Sequence, residues 1–288
     1  MIICLSKCFC SLIRKRCVCV MDCKQSLYAI REVADMTGVK PVTLRAWQRR
    51  YNLLRPLRTD KGHRMYTAED VERIHAIQGW LGKGVSIGKV KALLDSDAFD
   101  SNKLDTNQLE EVEVLHDALS RLDGVRVEQI LASVLKEYPL EIVESKFVAP
   151  ILTAIEFLKV GPKVLQRSMF KTALIKRLCS LSNAADKRGG SASVLLVSMD
   201  VQGNLFAWLE FAKLAESGNR VTFLDGVDDI TSLFQESEGY DSVYLFAEKS
   251  LAERHLDLVR FHLQQGENKI HLSPVVEHLV NNKKSSKR

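Results

Sequence analysis

Arg45, Arg49 and Arg50 fall within a span of six residues in the run Pro41 to Tyr51 (PVTLRAWQRRY), and that run holds no carboxylate. On a helix turning about 100° per residue, Leu44, Trp47 and Tyr51 share one arc, while Val42, Thr43, Arg45, Ala46, Arg49 and Arg50 fill the opposite one. A solvated helix normally interleaves glutamates with its cations, four residues apart. Here nothing local neutralises the guanidinium groups, and the chemistry they fit is a phosphate backbone. A second basic stretch follows, with Arg55, Arg58, Lys61, His63 and Arg64 on a segment broken by Pro56, Asp60 and Gly62. Both surfaces suit one polyanion, double-stranded DNA.

Within that reading the contacts divide by reach. Residues near the start of a recognition helix meet base edges, which assigns sequence readout to Thr43 and Arg45; an arginine held bidentate to guanine discriminates by about 1–3 kcal/mol. Arg49, Arg50 and Tyr51 lie further along and suit phosphates. Arg58, Lys61, His63 and Arg64 suit phosphate or minor-groove contacts. Leu44, Trp47 and Tyr51 read as core against Ile30 and Val33.

The elements that must hold these groups can be read from turn and cap residues. Tyr28 to Gly38 predicts a short helix closed by glycine, and Pro41 suits the first position of the next. Asn52 tolerates the left-handed conformation at that helix's end. Leu53 to Tyr66 predicts a hairpin or wing. Thr67 with Asp70 predicts a capping box opening a third helix through Val71, Ile74, Ile77 and Leu81, and Ser86 opens a fourth through Ile87, Val90 and Leu94. Two helices joined by a tight turn, the second bearing arginines, make a helix-turn-helix.

The run YAIREVADMTGVKPVTLRAWQRRYNLLRPLRTDKGHRMYTAEDVERI resembles the DNA-binding domain of the MerR family of bacterial transcription regulators, and LRAWQRRY with RTDKGHRMY is especially like its MlrA-type members. The resemblance implies a winged helix-turn-helix used as a homodimer on a palindromic promoter operator, with distortion of the promoter spacer and RNA polymerase as a further partner. Asn52 stands where the family more often has glycine.

Charge is distributed unevenly. Residues 28–95 hold 13 Lys and Arg against 7 Asp and Glu, net +6, whereas residues 96–282 hold 19 against 28, net −9. The basic head is the nucleic-acid surface. No apolar run reaches the roughly 18 residues of a membrane span, and a cytoplasmic location is expected. Six of the seven cysteines, Cys4, Cys8, Cys10, Cys17, Cys19 and Cys23, crowd the first 23 residues. Their spacing is not that of zinc pairs and no histidine accompanies them, so no metal is expected. Residues 1–27 read as a disordered extension, with Met21 a candidate natural start.

Residues 96–107 read as a linker. Apolar stripes then predict a helical bundle over residues 108–188, its third helix kinked or split at Pro150. After Gly189-Gly190, four strand-length runs (193–199, 221–224, 242–247, 268–272) alternate with helical stretches, which predicts a flavodoxin-like parallel sheet over 191–280, followed by a basic tail at 281–288. The whole is multidomain: an all-α winged helix-turn-helix, a bundle and an α/β unit.

Bundle plus α/β unit resembles the cobalamin-binding module found behind some MerR-type domains, which would make the chain a light- or ligand-sensing repressor. The family's axial histidine belongs to an Asp-x-His-x-x-Gly loop after the first strand. This chain reads Asp200-Val201-Gln202-Gly203-Asn204-Leu205 there, with Gln202 for the histidine and Leu205 for the glycine. An amide is a poor cobalt ligand beside an imidazole, so no cofactor is expected and the module reads as a sensor for a small effector or a protein partner. Phosphate-loop, dinucleotide, nucleophile-elbow and zinc-protease motifs are missing, and no catalytic residue is assigned.

Overall fold

The computed structural model describes residues 26–95, 108–186, 192–266 and 269–282. The cysteine cluster, the linker at 96–107, the Gly189-Gly190 junction and the basic tail lie outside the described residues.

The head begins with β1 (Tyr28–Ala29) and α1 (Ile30–Thr37), which stops at Gly38 in the left-handed region, φ 69°. α2 (Pro41–Tyr51) starts on its proline and ends at Asn52, φ 52°, whose N–H donates to the Trp47 carbonyl. β2 (Leu57–Arg58) and β3 (Arg64–Tyr66) form the wing, and β1 joins them in an antiparallel sheet of order β1-β3-β2, Tyr28 opposite Tyr66. Tyr28 and Ala29, expected in a helix, are thus the wing's third strand, because pairing with Arg64–Tyr66 satisfies backbone groups that the first turn of a helix would leave open. α3 (Ala68–Gly82) opens on the predicted box: the Asp70 N–H donates to Thr67 Oγ1 at 3.2 Å and the Thr67 N–H to Asp70 Oδ2 at 3.0 Å. α4 is Ile87–Leu94.

The bundle comprises α5 (Glu111–Ser120), α6 (Gly124–Glu137), α7 (Leu140–Val143), α8 (Ala149–Glu156) and α9 (Val160–Asp186). Between α7 and α8, Glu144–Val148 widens into a π turn. Pro150 lies in the first turn of α8, so the helix expected to be kinked or split at Pro150 is interrupted by the wide turn just before it.

The last unit alternates β4 (Ser193–Ser198), α10 (Leu205–Glu216), β5 (Arg220–Asp225), α11 (Leu233–Glu236), β6 (Ser242–Phe246), α12 (Glu253–Gln264), β7 (Ile270–Leu272) and α13 (Pro274–Asn281). The four strands are parallel in the order β5-β4-β6-β7. Strand order reverses at β4 and β6, which places a crevice at their carboxyl ends. One hydrophobic core runs from Val33, Trp47 and Ile74 of the head through Leu115, Leu131 and Phe147 of the bundle to Leu209 of α10. Head and bundle therefore share their interior, and α2 packs directly on α6.

Candidate nucleic-acid interface

Helix α2 has two working faces. Arg45 and Arg49 are exposed on one, beside the wing. Arg64 of β3 donates from Nε to Gln48 Oε1 at 2.6 Å, which ties the wing to the helix, and Arg58 sits opposite Arg64 across the sheet. Arg64 is pushed below the usual arginine range, first by burial and then by the positive charges of Arg58, Arg49 and Arg45, with Tyr66 working the other way. The guanidinium groups of Arg58, Arg49 and Arg45 are thus close enough to act on the charge of Arg64. Among the described residues none of the four forms an ion pair with a carboxylate. Such a cluster is held by the fold at an electrostatic cost that a polyanion relieves.

The wing tip turns at Thr59 to Gly62: the Gly62 N–H donates to the Thr59 carbonyl at 2.8 Å and the Thr59 N–H to the His63 carbonyl at 3.0 Å, with Gly62 at φ 78°. Lys61 and His63 are exposed there. Arg31, Arg45, His63 and Arg64 line a concavity of about 420 Å³ between α1, α2 and the wing. Arg31 and Gln48 belong to this surface and were not singled out from the sequence. Their signal was weak, since a lone arginine near a glutamate and a glutamine on a basic helix are ordinary solvent-facing residues.

The other face of α2 is covered. Thr43 is fully buried and its hydroxyl donates to the Lys136 carbonyl at 3.1 Å; Trp47 Nε1 donates to the Glu137 carbonyl at 2.7 Å. The Glu137 carboxylate, 4% exposed, pairs with Arg50 through Oε1 and accepts the Tyr51 hydroxyl on Oε2 at 2.6 Å. Burial pushes the Tyr51 phenol up, so it remains a donor. Three sequence expectations change accordingly. Thr43 has no surface to offer a base edge, Tyr51 is engaged by the bundle, and Arg50 is neutralised by a carboxylate 87 residues away that no local pattern could reveal. Ala46, expected on the outward arc, is also buried. Trp47 is core, as its spacing predicts, yet its polar edge faces α6.

The crevice at the ends of β4 and β6 is a cavity of about 250 Å³, lined by residues 200–206 and by Leu152, Arg167, Lys171, Glu248 and Lys249. Asp200 Oδ2 accepts the Glu248 N–H at 2.9 Å and Asn204 Nδ2 at 3.2 Å. Lys171 Nζ donates to the Gln202 carbonyl at 3.0 Å, and its side chain fills the space before Gly203, where an added Cβ would come within 2.3 Å of Lys171 Cε. On the loop's other side Gln202 backs tightly onto Gly226, whose Cβ direction meets the Gln202 backbone at 3.1 Å. Asp225 binds the Gly203 N–H at 2.8 Å and Trp208 Nε1 at 3.0 Å. No imidazole stands in this loop, and a lysine is laid across it. The residues do not fit cobalamin. Among the described residues no cluster of His, Cys, Asp and Glu could hold a metal ion, and no helix is long and apolar enough to cross a membrane.

Comparison with known proteins bears on the head and on most of the chain. Residues 28–97 match the model of the MerR HTH family regulatory proteins. The HTH-type transcriptional regulator MlrA of Salmonella typhimurium is 32% identical over 201 residues, covering 69% of this chain and 80% of that protein; MlrA of Escherichia coli is 30% identical over 202 residues with the same shares. The HTH-type transcriptional repressor CarH of Myxococcus xanthus is 39% identical over 67 residues, 23% of this chain and 22% of CarH. Among solved structures, a cobalamin-binding protein from Desulfitobacterium hafniense aligns with 58% of this chain and 86% of its own at 20% identity, with a TM-score of 0.26 that carries no argument about a ligand.

Proposed function

Because the chain belongs to the MerR family of helix-turn-helix transcription regulators, and is itself a DNA-binding regulator, we propose that it grips promoter DNA as a homodimer and controls transcription by distorting the promoter between two half-sites. The single observation that carries the DNA contact in this reading is the cluster of Arg45, Arg49, Arg58 and Arg64, without a carboxylate partner, spread over a recognition helix and a wing that are bonded to each other through Gln48. In this reading Arg45 reaches base edges, Arg49 and Arg58 take phosphates, and Lys61, His63 and Arg64 follow the backbone beside the wing. Thr43 and Tyr51 position the helix instead.

The division of labour we propose is a DNA-binding head at 28–95, a bundle at 108–188 and a sensor unit at 191–280, acting in the cytoplasm on the promoter and the polymerase that reads it. No catalytic step is assigned. The crevice beside Gln202 takes a small effector or a protein partner, and its donor set argues against the alternative of a cobalamin-dependent repressor. The test is selection of duplexes from a random pool by the purified full-length protein, followed by footprinting. Two protected half-sites about one helical turn apart with an exposed, hyperreactive centre are expected; a single protected half-site with undistorted DNA would remove the dimer and the distortion together.

A further inference from the structure

α6 ends at Glu137, because Tyr138 turns to an extended conformation (φ −115°, ψ 145°) and Pro139 follows. The last carbonyls of a helix have no donors of their own, and those of Lys136 and Glu137 receive theirs from Thr43 and Trp47 of α2. The negative end of the α6 dipole also faces the cation of Arg50. Thr43, Trp47, Arg50 and Tyr51 lie at intervals of four, three and one, so the contact is a stripe along the whole length of the recognition helix rather than a touch at one end.

Glu137 is the centre of that stripe. An ionised carboxylate only accepts hydrogen bonds, and this one, nearly excluded from solvent, is met by donors from both helices: Arg50 and Ser133 on Oε1, the latter at 2.9 Å, and Tyr51 on Oε2. It cannot turn away without leaving a buried charge unpaired, and α2 cannot roll about its axis without breaking these contacts. One residue's worth of roll, about 100°, would carry Arg45 and Arg49 from the wing side onto the bundle.

We infer that Glu137 is a positioning residue for DNA recognition: the bundle fixes the rotation of the recognition helix so that Arg45 and Arg49 face the duplex. The inference rests on the DNA-binding reading of that arginine face. It also makes the bundle and the DNA energetically coupled, since whatever displaces the end of α6 must change readout, and a well-fitted operator must hold α6 in place.

The test uses the full-length protein, a duplex selected from a random pool by the wild type, and a scrambled duplex of equal length and composition. Glu137→Gln keeps the volume and removes the charge. It is expected to lower the ratio of selected to scrambled affinity about fivefold, the scale of one weakened charged hydrogen bond, while leaving scrambled binding and its salt dependence as in the wild type. Tyr51→Phe, which removes a single hydroxyl, is expected to move the ratio the same way by about half as much on the free-energy scale, and it decides the matter should Glu137→Gln not fold. A purely structural role would lower the melting temperature and leave the ratio untouched; that result, or tighter binding from a released Arg50, overturns the inference. A wild type that selects no duplex at all would instead overturn the DNA-binding reading.

Discussion

The indole Nε1 of Trp47, on the recognition helix, donates to the carbonyl oxygen of Glu137, ninety residues later, at 2.7 Å. A residue that would ordinarily be judged core of the head is also a cap for a helix of the bundle. Trp47→Phe keeps most of the packing and leaves the Glu137 carbonyl buried without its donor. The expected cost is about 1–3 kcal/mol, measured by chemical denaturation of the full-length chain; an unchanged midpoint would show that the bond contributes nothing.

Tyr138 is the second fastening. Fully buried, its hydroxyl donates to Glu111 Oε1 at 2.7 Å and accepts the Ile87 N–H at 3.1 Å, joining α4, α5 and the end of α6. Burial, followed by the Glu111 charge, pushes the phenol far above its ordinary value, so it stays protonated. Tyr138→Phe leaves the Ile87 N–H unsatisfied and should destabilise by about 1–3 kcal/mol. Hydrogen exchange at the start of α4 should quicken with it, and protection equal to the wild type would count against the role.

Two surface pairs give the protein an acid-side dependence. The Glu110 carboxyl is held below the glutamate range first by the hydrogen bond from Lys89, with burial opposing; Glu128 is held down in the same way by Lys176, with Arg177 helping. Folded-state values below the unfolded one, about 4.3, mean that the stabilisation is complete above that pH and is lost as pH falls through the folded values. Lys89, Glu110 and Lys176 are largely open to solvent and Glu128 is about a quarter exposed, so the effect is under about 1 kcal/mol each and shrinks in salt. Glu128→Gln should flatten the fall in stability below about pH 4.3 and change nothing at pH 7 beyond the pair itself. A variant whose acid limb parallels the wild type would exclude the assignment.

The β4 loop predicts that cobalamin does not stay bound. Gln202 supplies no imidazole, and Lys171 covers the loop at Gly203. Protein incubated with cobalamin and dialysed should show no corrin absorbance, and Gln202→His alone should not create it, because Lys171 still lies across the loop. Retained pigment in the wild type would refute this.

Much of the head was legible in the sequence because its signals are local. Pro41, Asn52, Gly62 and the Thr67–Asp70 box each act within five residues, and each does what its chemistry predicts. The parallel sheet was legible for a related reason, since the central strand β4, buried on both faces, is a continuous apolar run in sequence. The settings of Thr43, Arg50 and Tyr51 were not legible because their partners, the Lys136 carbonyl and the Glu137 carboxylate, are brought in by tertiary packing, and a helical wheel cannot distinguish a face open to solvent from one that meets a second layer of helices. Tyr28 and Ala29 were read into α1 because a two-residue strand has no periodicity of its own.

The most direct measurement is the salt dependence of binding to a selected duplex, for the wild type and for Arg45→Ala, Arg49→Ala and Arg58→Ala. Phosphate contacts release counterions, so log affinity should fall steeply and linearly with log salt, and removing an arginine that meets a phosphate should make the slope shallower by about 0.9. Arg49→Ala and Arg58→Ala should each show that change, whereas Arg45→Ala should weaken selected binding far more than scrambled binding. Affinity indifferent to salt, or three variants indistinguishable from the wild type, would contradict the assignment of this face to DNA.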